Sequence, residues 1–159
     1  MQTSVGYFLA QHIQEAFITK NWCGLGVIPL VQNLTWQQAT QVSIGNHSIA
    51  ALSFHVQYYL QAIDQVLLQQ PVTVTDTKSF LMPAIASEDD WQQLLLQIKQ
   101  QVQNTCAVLQ NAPDTVWETW FIDEKYGTVQ HNIMGIIHHV YYHLGQMVLI
   151  QKQLSRPLV

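Results

Sequence analysis

The chain has few of the groups that support covalent cross-links or nucleic-acid binding. Its two cysteines, Cys23 and Cys106, lie far apart and form no C-x-x-C pair, so neither a disulfide framework nor a thiolate metal site is expected. The six lysines and arginines are scattered singly, and the formal net charge is −4. This pattern lacks the positive stripe that phosphate-backbone binding requires. We therefore expect reduced thiols and no nucleic-acid partner.

Long apolar runs are also missing. The longest, residues 22–31, contains Gly24, Gly26 and Pro29 and is too short to cross a bilayer. The first residues show no basic stretch followed by an apolar segment, the pattern of a signal peptide. These absences predict a cytoplasmic protein with no membrane partner.

Charged residues are scarce, at 10% of the chain, and glutamine replaces them on the polar positions. The glutamine pairs are spread along helical patterns at residues 37–38, 69–70, 92–93 and 100–101. They therefore predict solvated helix faces and not an aggregation-prone tract. Because charge repulsion between subunits would be weak, self-association into a homodimer is expected.

Apolar residues recur with helical periodicity in four long segments. These segments cover about residues 3–20, 46–69, 87–111 and 128–154, as the i, i+3, i+4 spacing of large aliphatic residues indicates. Pro71 should close the second segment, and the Ser87 hydroxyl should cap the third. A shorter capped helix is predicted at Thr35–Ala39.

The connections between these segments are long and rich in aromatic residues, so at least one is expected to cross and cover an end of the structure. A length of 159 residues fits a single domain with a full hydrophobic core. We predict an all-α protein, an antiparallel four-helix bundle with long connections, formed as one domain over residues 1–159.

The most informative local pattern is the pair His139 and His143 in the fourth segment. A separation of four residues places both imidazoles on one helix face, where they can bind the same metal ion. Gln146 lies on that face, one turn later, and can orient an imidazole or a bound water. Gly145, in a helix otherwise poor in glycine, predicts close approach by a neighbouring group.

His55 is the predicted third ligand, from the middle of the second segment. It can join the pair only if the second and fourth segments are neighbours. The alternative is that all three histidines are partly buried and hydrogen-bonded, without a metal. The four other histidines, His12, His47, His131 and His138, are interpreted as structural or surface residues.

These residues resemble a known superfamily. The runs Asn46–His55 and Gly135–Gln146 are similar to those of the DinB/YfiT-like putative metalloenzymes. Members typically have one histidine midway along the second bundle helix and an H-x-x-x-H-x-G-Q run on the last. His55 fits the first pattern, and His139, His143, Gly145 and Gln146 fit the second. The resemblance extends over nearly the whole chain and implies a four-helix bundle with a three-histidine metal site, frequently dimeric.

Three neutral imidazoles would leave a divalent ion with its full charge and an open coordination position, as in catalytic sites. Nitrogen ligands favour a divalent transition metal: zinc or nickel first, with iron(II) or cobalt also compatible. Val140 follows His139, which excludes the H-E-x-x-H zinc-peptidase pattern.

The resemblance implies chemistry on a small molecule with a low-molecular-weight thiol such as bacillithiol or mycothiol, by a thiol-dependent S-transferase or isomerase. A hydrolase-like reaction is the other enzymatic reading. The alternative function is a non-catalytic helical bundle that binds a metal or a small molecule, with a stress or interaction role.

Overall fold

Helices dominate the computed structural model, which describes residues 4–43 and 46–155. Residue 3, where the first periodic segment was expected to begin, lies outside these ranges. The helices are α1 (Val5–Phe17), α2 (Val27–Val31), α3 (Trp36–Thr40), α4 (Ile49–Tyr58), α5 (Leu60–Leu67), α6 (Glu88–Asn111) and α7 (Val129–Leu154). The all-α prediction is therefore confirmed. Within the described ranges, no helix combines the length and apolar character that a membrane crossing needs.

Side-chain caps fix where several helices begin, as the sequence predicted. The Ser87 hydroxyl accepts a hydrogen bond from the Asp90 amide at the start of α6. Thr35 and Gln38 form a reciprocal capping box at the start of α3. Each cap satisfies an amide that has no partner within its helix. The predicted bounds of these two helices agree with the structure within one residue.

The second periodic segment forms two helices, which corrects the prediction of one continuous helix. α4 ends at Tyr58 and α5 begins at Leu60. The Ala62 amide donates to the carbonyl of Tyr59 at 3.1 Å, a bond to the third preceding residue that is typical of a tightened turn. The interruption lies beside the candidate site.

A small hairpin in the first connection was not predicted. Strands β1 (Lys20–Asn21) and β2 (Gly24–Leu25) pair antiparallel. Gly24 adopts φ 122°, a conformation that side chains with a Cβ rarely tolerate. Such a short strand pair carries no alternating pattern that the sequence could reveal.

Four long helical segments share one core. α1 contacts α6 and α7, and the α4–α5 segment also contacts α6 and α7. The core residues that are essentially inaccessible to solvent include Leu9, Phe17, Ile49, Leu60, Trp91, Ile98, Leu109 and Ile133. The contact between α4 and α7 satisfies the condition for His55 to lie near the histidine pair.

The connection between α5 and α6 lies over the end of α4. The Tyr58 hydroxyl accepts a hydrogen bond from the Thr75 amide at 3.3 Å, and the Tyr59 hydroxyl donates to Asp76 at 2.7 Å. A short 3-10 turn, Asp76–Lys78, follows and leads to the buried Ser79 and to Phe80. These anchors bring the connection against the candidate site.

Asp64 on α5 gives a pH-dependent stability prediction. One carboxylate oxygen accepts from the Gln101 amide at 2.7 Å, while the other is buried without a partner among the described residues. Burial raises the pKa of Asp64. A raised folded-state pKa means that the stabilising contribution is present at low pH and is lost as the pH rises through that pKa.

We therefore expect Asp64→Asn to raise the melting temperature by a few degrees at pH 7 and to change it less at pH 4. The amide can still accept from Gln101 and carries no charge to desolvate. Thermal unfolding of both proteins at the two pH values measures this. A less stable variant at pH 7 would show that the charged carboxylate is favourable where it lies.

Candidate metal centre

The structure brings His55, His139 and His143 together. α4 supplies His55, and successive turns of α7 supply the other two. The Nε2 atom of His139 lies 3.1 Å from Nε2 of His55 and 2.9 Å from Nε2 of His143. One nitrogen from each ring lies within 4.8 Å of the others, so the group can hold a metal ion.

Gln146 fixes the orientation of the His143 ring. Its Oε1 lies 2.7 Å from Nδ1 of His143. An amide oxygen can only accept, so Nδ1 carries the proton and Nε2 presents a lone pair. Metal-binding histidines are commonly oriented by such a partner on the other ring nitrogen. The local geometry is thus that of an imidazole prepared to bind through Nε2.

Hydrogen bonding alone cannot satisfy the three facing nitrogens. A neutral imidazole has one N–H, so His139 can donate to only one of its two neighbours through Nε2. An extra proton is disfavoured, because the pKa values of all three rings are lowered, first by burial. For His55 the pKa falls to about 4, with further lowering by His143 and His139. Near neutral pH the rings are therefore uncharged, as metal ligands must be.

The spacing fits a small divalent cation. Zinc–nitrogen bonds of about 2.0–2.1 Å with tetrahedral angles place ligand nitrogens about 3.3 Å apart. The two Nε2 separations of 2.9 and 3.1 Å are within a few tenths of an ångström of that value. Moving these nitrogens apart by a few tenths of an ångström would bring both separations to the spacing of zinc ligands.

The His55 ring is held by aromatic neighbours. Phe80 stacks on it with centroids 4.0 Å apart and planes 13° apart. His47 stacks on Phe80 with centroids 4.6 Å apart, which makes a stack of three rings. The Nδ1 atom of His55 is buried without a hydrogen-bond partner in the described structure. Stacking on Phe80 therefore helps to orient this ring, together with the nearby Ser79 backbone, whose hydrogen-bonding contact acts to raise the pKa of His55.

Two clefts open beside the three histidines, one on each side along α7. The cleft beyond His143, here called the aromatic cleft, has a volume of about 380 Å³ and is lined by His47, His55, Phe80, Tyr142, His143, Gln146, Leu149 and Ile150. The cleft before His139, here called the polar cleft, has a volume of about 320 Å³ and is lined by Tyr59, His131, Asn132, Gly135, Ile136 and His139. Small molecules can therefore approach the site from two directions.

Two histidines that are interpreted as structural or surface residues lie at the edges of the clefts, and one prediction about a glycine needs correction. His47 lines the aromatic cleft. His131 likewise lines the polar cleft. Gly145 is exposed, and a Cβ at this position would meet nothing within 4 Å. The prediction that a neighbouring group closely approaches Gly145 is therefore wrong for the described residues of this chain.

The cysteines contribute nothing to this centre. Cys23 is exposed and Cys106 is buried, and both are free. The Cys106 thiol lies 3.4 Å from the Ala10 carbonyl oxygen, and burial raises its pKa to about 11. A thiol with so high a pKa is a poor nucleophile near neutral pH. Its role is packing between α1 and α6.

Phe80 and Asp76 are the neighbours of the site that sequence reasoning missed. Both belong to the long α5–α6 connection, where no periodicity marks which residues face inward. Asp76 accepts the hydrogen bond from Tyr59, whose ring lies edge-on to His55 and His139. No sequence signal identified either residue, because their positions depend on how the connection folds back.

Comparisons with known proteins returned no match to a family model, a curated protein or a solved structure. The geometry of the site is therefore the main support for any functional conclusion.

Removal of the Gln146 acceptor is expected to weaken metal binding. A Gln146→Leu variant should bind zinc about 10-fold or more weakly, because the His143 ring loses the partner that orients it. Gln146→Glu keeps an acceptor for Nδ1 and should retain most of the affinity. Zinc titration against a chelating indicator measures both. Equal affinity of Gln146→Leu and the unaltered protein would show that the hydrogen bond is unrelated to metal binding.

Proposed function

We propose that this protein is a metal-dependent enzyme of the DinB/YfiT-like superfamily, with an antiparallel four-helix-bundle fold. The neighbour relations of α1, α4–α5, α6 and α7 support the bundle. The H-x-x-x-H-x-G-Q run on the last long helix, together with His55 on α4, supports the superfamily.

The observation that carries the proposal is the convergence of three Nε2 atoms from two helices. His55, His139 and His143 would hold one divalent transition metal, with zinc or nickel as the first candidates and iron or cobalt as others. Gln146 would act through His143, because it fixes the proton on Nδ1.

The bound cation would supply Lewis acidity, which lowers the pKa of a thiol or a water that reaches it. The side chains around the site would position the reactants and exclude water from them. Phe80 covers His55, and Tyr59 commits its hydroxyl proton to Asp76. Burial and the Asp76 carboxylate raise the pKa of Tyr59, so this phenol stays protonated beside the site.

The reaction class that we propose is S-transferase-like, with a hydrolase-like reaction as the second enzymatic possibility. A small-molecule electrophile and a low-molecular-weight thiol can approach through the two clefts. Three uncharged ligands would leave the full positive charge of the cation available to a thiol or water nucleophile.

An assay of thiol transfer tests this function. Zinc-loaded and nickel-loaded proteins would be incubated with cysteine, glutathione, coenzyme A and bacillithiol, each with a fluorogenic bimane electrophile. We expect thiol consumption above the uncatalysed rate with at least one thiol, and its loss after chelation of the metal. A His139→Ala protein is the matched inactive control. A metal-loaded protein that accelerates neither thiol transfer nor ester hydrolysis would contradict an enzymatic role.

The non-catalytic alternative is supported by a separate cleft of about 640 Å³. Residues 66–72 and 113–122 contribute its lining, which includes Trp120 and Phe121. A volume of this size fits a small ligand. If the metal-loaded protein is inactive but binds small apolar molecules here, the binding-module function replaces the enzymatic one.

Association of two copies remains a prediction. The low content of charged residues makes repulsion between subunits weak. Sedimentation at micromolar concentration should give the mass of a homodimer. A single species of 18.2 kDa would contradict this prediction without affecting the metal site.

A further inference from the structure

The aromatic cleft offers no acidic or strongly basic side chain to a ligand. Among the described residues that line it there is no aspartate, glutamate, lysine or arginine. The polar cleft is also lined without such residues, although the hydroxyl of its Tyr59 donates a hydrogen bond to the Asp76 carboxylate. A charged ligand entering the aromatic cleft would lose hydration without gaining an ion pair from the chain.

The shape of the aromatic cleft also limits what can occupy it. Rings of Phe80, Tyr142 and His143 contribute to its walls, and the aliphatic side chains of Leu149 and Ile150 complete them. Aromatic ligands gain offset-stacked or edge-to-face contacts with such walls beyond simple burial. The volume of about 380 Å³ lies near the lower end of the range of small-molecule sites.

Two observations suggest that the cleft is preformed. Phe80 is held between His47 and His55 by ring stacking. The connection that carries it is anchored by hydrogen bonds of Tyr58 and Tyr59. A preformed wall loses little conformational entropy when a ligand binds.

We infer that the aromatic cleft is the substrate subsite and that it binds one small, uncharged aromatic molecule against the edge of the Phe80 ring. The assignment of this cleft to a substrate rests on the proposed function, because His55 and His143 belong both to the metal group and to the cleft. The occupant would present its reactive atom toward the three histidines and its ring toward Leu149. The polar cleft would remain for the second reactant.

Metal-free protein, prepared by dialysis against EDTA, provides the test. Benzamide would be titrated while methyl NMR signals are followed, with benzoate, benzylamine and cyclohexanecarboxamide as comparison ligands. We expect benzamide to bind in the millimolar range, several-fold tighter than the charged or saturated analogues. The methyl signals of Ile150, in the aromatic cleft, should shift more than those of Ile136, in the polar cleft.

Two matched variants locate the binding. Leu149 and Leu96 are similarly exposed, at 56% and 60%, so both tolerate a polar substitution, but only Leu149 lines the cleft. Leu149→Glu should weaken benzamide binding about 10-fold, because it places a carboxylate beside the ring. Leu96→Glu should leave the affinity unchanged. Phe80→Ala should also weaken binding, because the ring edge that forms part of the wall is lost.

The outcomes separate this inference from the metal proposal. Benzamide binding that Leu149→Glu does not alter, or equal preference for benzoate, would overturn the inference. A second outcome is that zinc fails to bind while the variants change benzamide binding as expected. This result would contradict the metal function and would still support the aromatic cleft as a binding site. Zinc binding without any benzamide binding would overturn the inference about the aromatic cleft and leave the metal proposal intact.

Discussion

A His139→Ala variant is expected to lose at least about 100-fold in zinc affinity, since ligand removal should cost more than the 10- to 100-fold typical of an orienting partner. The Nε2 of His139 lies between the other two, 3.1 Å from that of His55 and 2.9 Å from that of His143. Its removal leaves two imidazoles and solvent to hold the ion. Competition with a chelating indicator, using protein without a histidine tag, gives the affinity.

The adjacent histidine supplies the control. His138 is exposed and points about 100° away from His139 around the helix. His138→Ala removes the same chemical group from the same helix and should leave the zinc affinity unchanged. If the two variants lose affinity equally, binding is to scattered surface histidines and the three-histidine site does not exist.

Gly6→Ala is expected to destabilise the fold by about 3 kcal/mol, the upper end of the usual range for overpacking. A Cβ at this position would lie 2.2 Å from the Leu109 carbonyl oxygen and 3.1 Å from the Trp117 ring. The first contact is with helix backbone, so α1 and α6 would have to separate. For a chain of this size the melting temperature should fall by about 6–12 °C.

A second glycine gives the opposite expectation. The position of a Cβ at Gly145 is open space, and alanine is favoured over glycine within a helix by about 1 kcal/mol. Gly145→Ala should therefore raise the melting temperature modestly. Similar melting temperatures for both variants would show that α1 and α6 are not packed as closely as described.

The parts of the fold that follow from local rules could be predicted from the sequence. The start of α6 is set by the Ser87 cap, and its length by regular apolar spacing up to Asn111. The interruption at Tyr59 could not be predicted, because the apolar stripe continues across it. The tightened turn there accompanies a long-range contact, the hydrogen bond to Asp76.

The candidate site likewise has some features that the sequence could predict and others that it could not. The pairing of His139 with His143 follows from their spacing on one helix, and so does the reach of Gln146. The position of His55 beside this pair depends on the packing of α4 against α7. Periodicity alone does not determine which helices are neighbours. Phe80 was missed because a long irregular connection carries it to the site.

The metal content of the purified protein tests the central claim most directly. Tag-free protein would be supplemented with zinc, dialysed at neutral pH and analysed by inductively coupled plasma mass spectrometry. We expect about one ion per chain, and almost none in each of His55→Ala, His139→Ala and His143→Ala. Absence of bound metal in the unaltered protein, or an undiminished content in those three variants, would contradict a three-histidine metal centre.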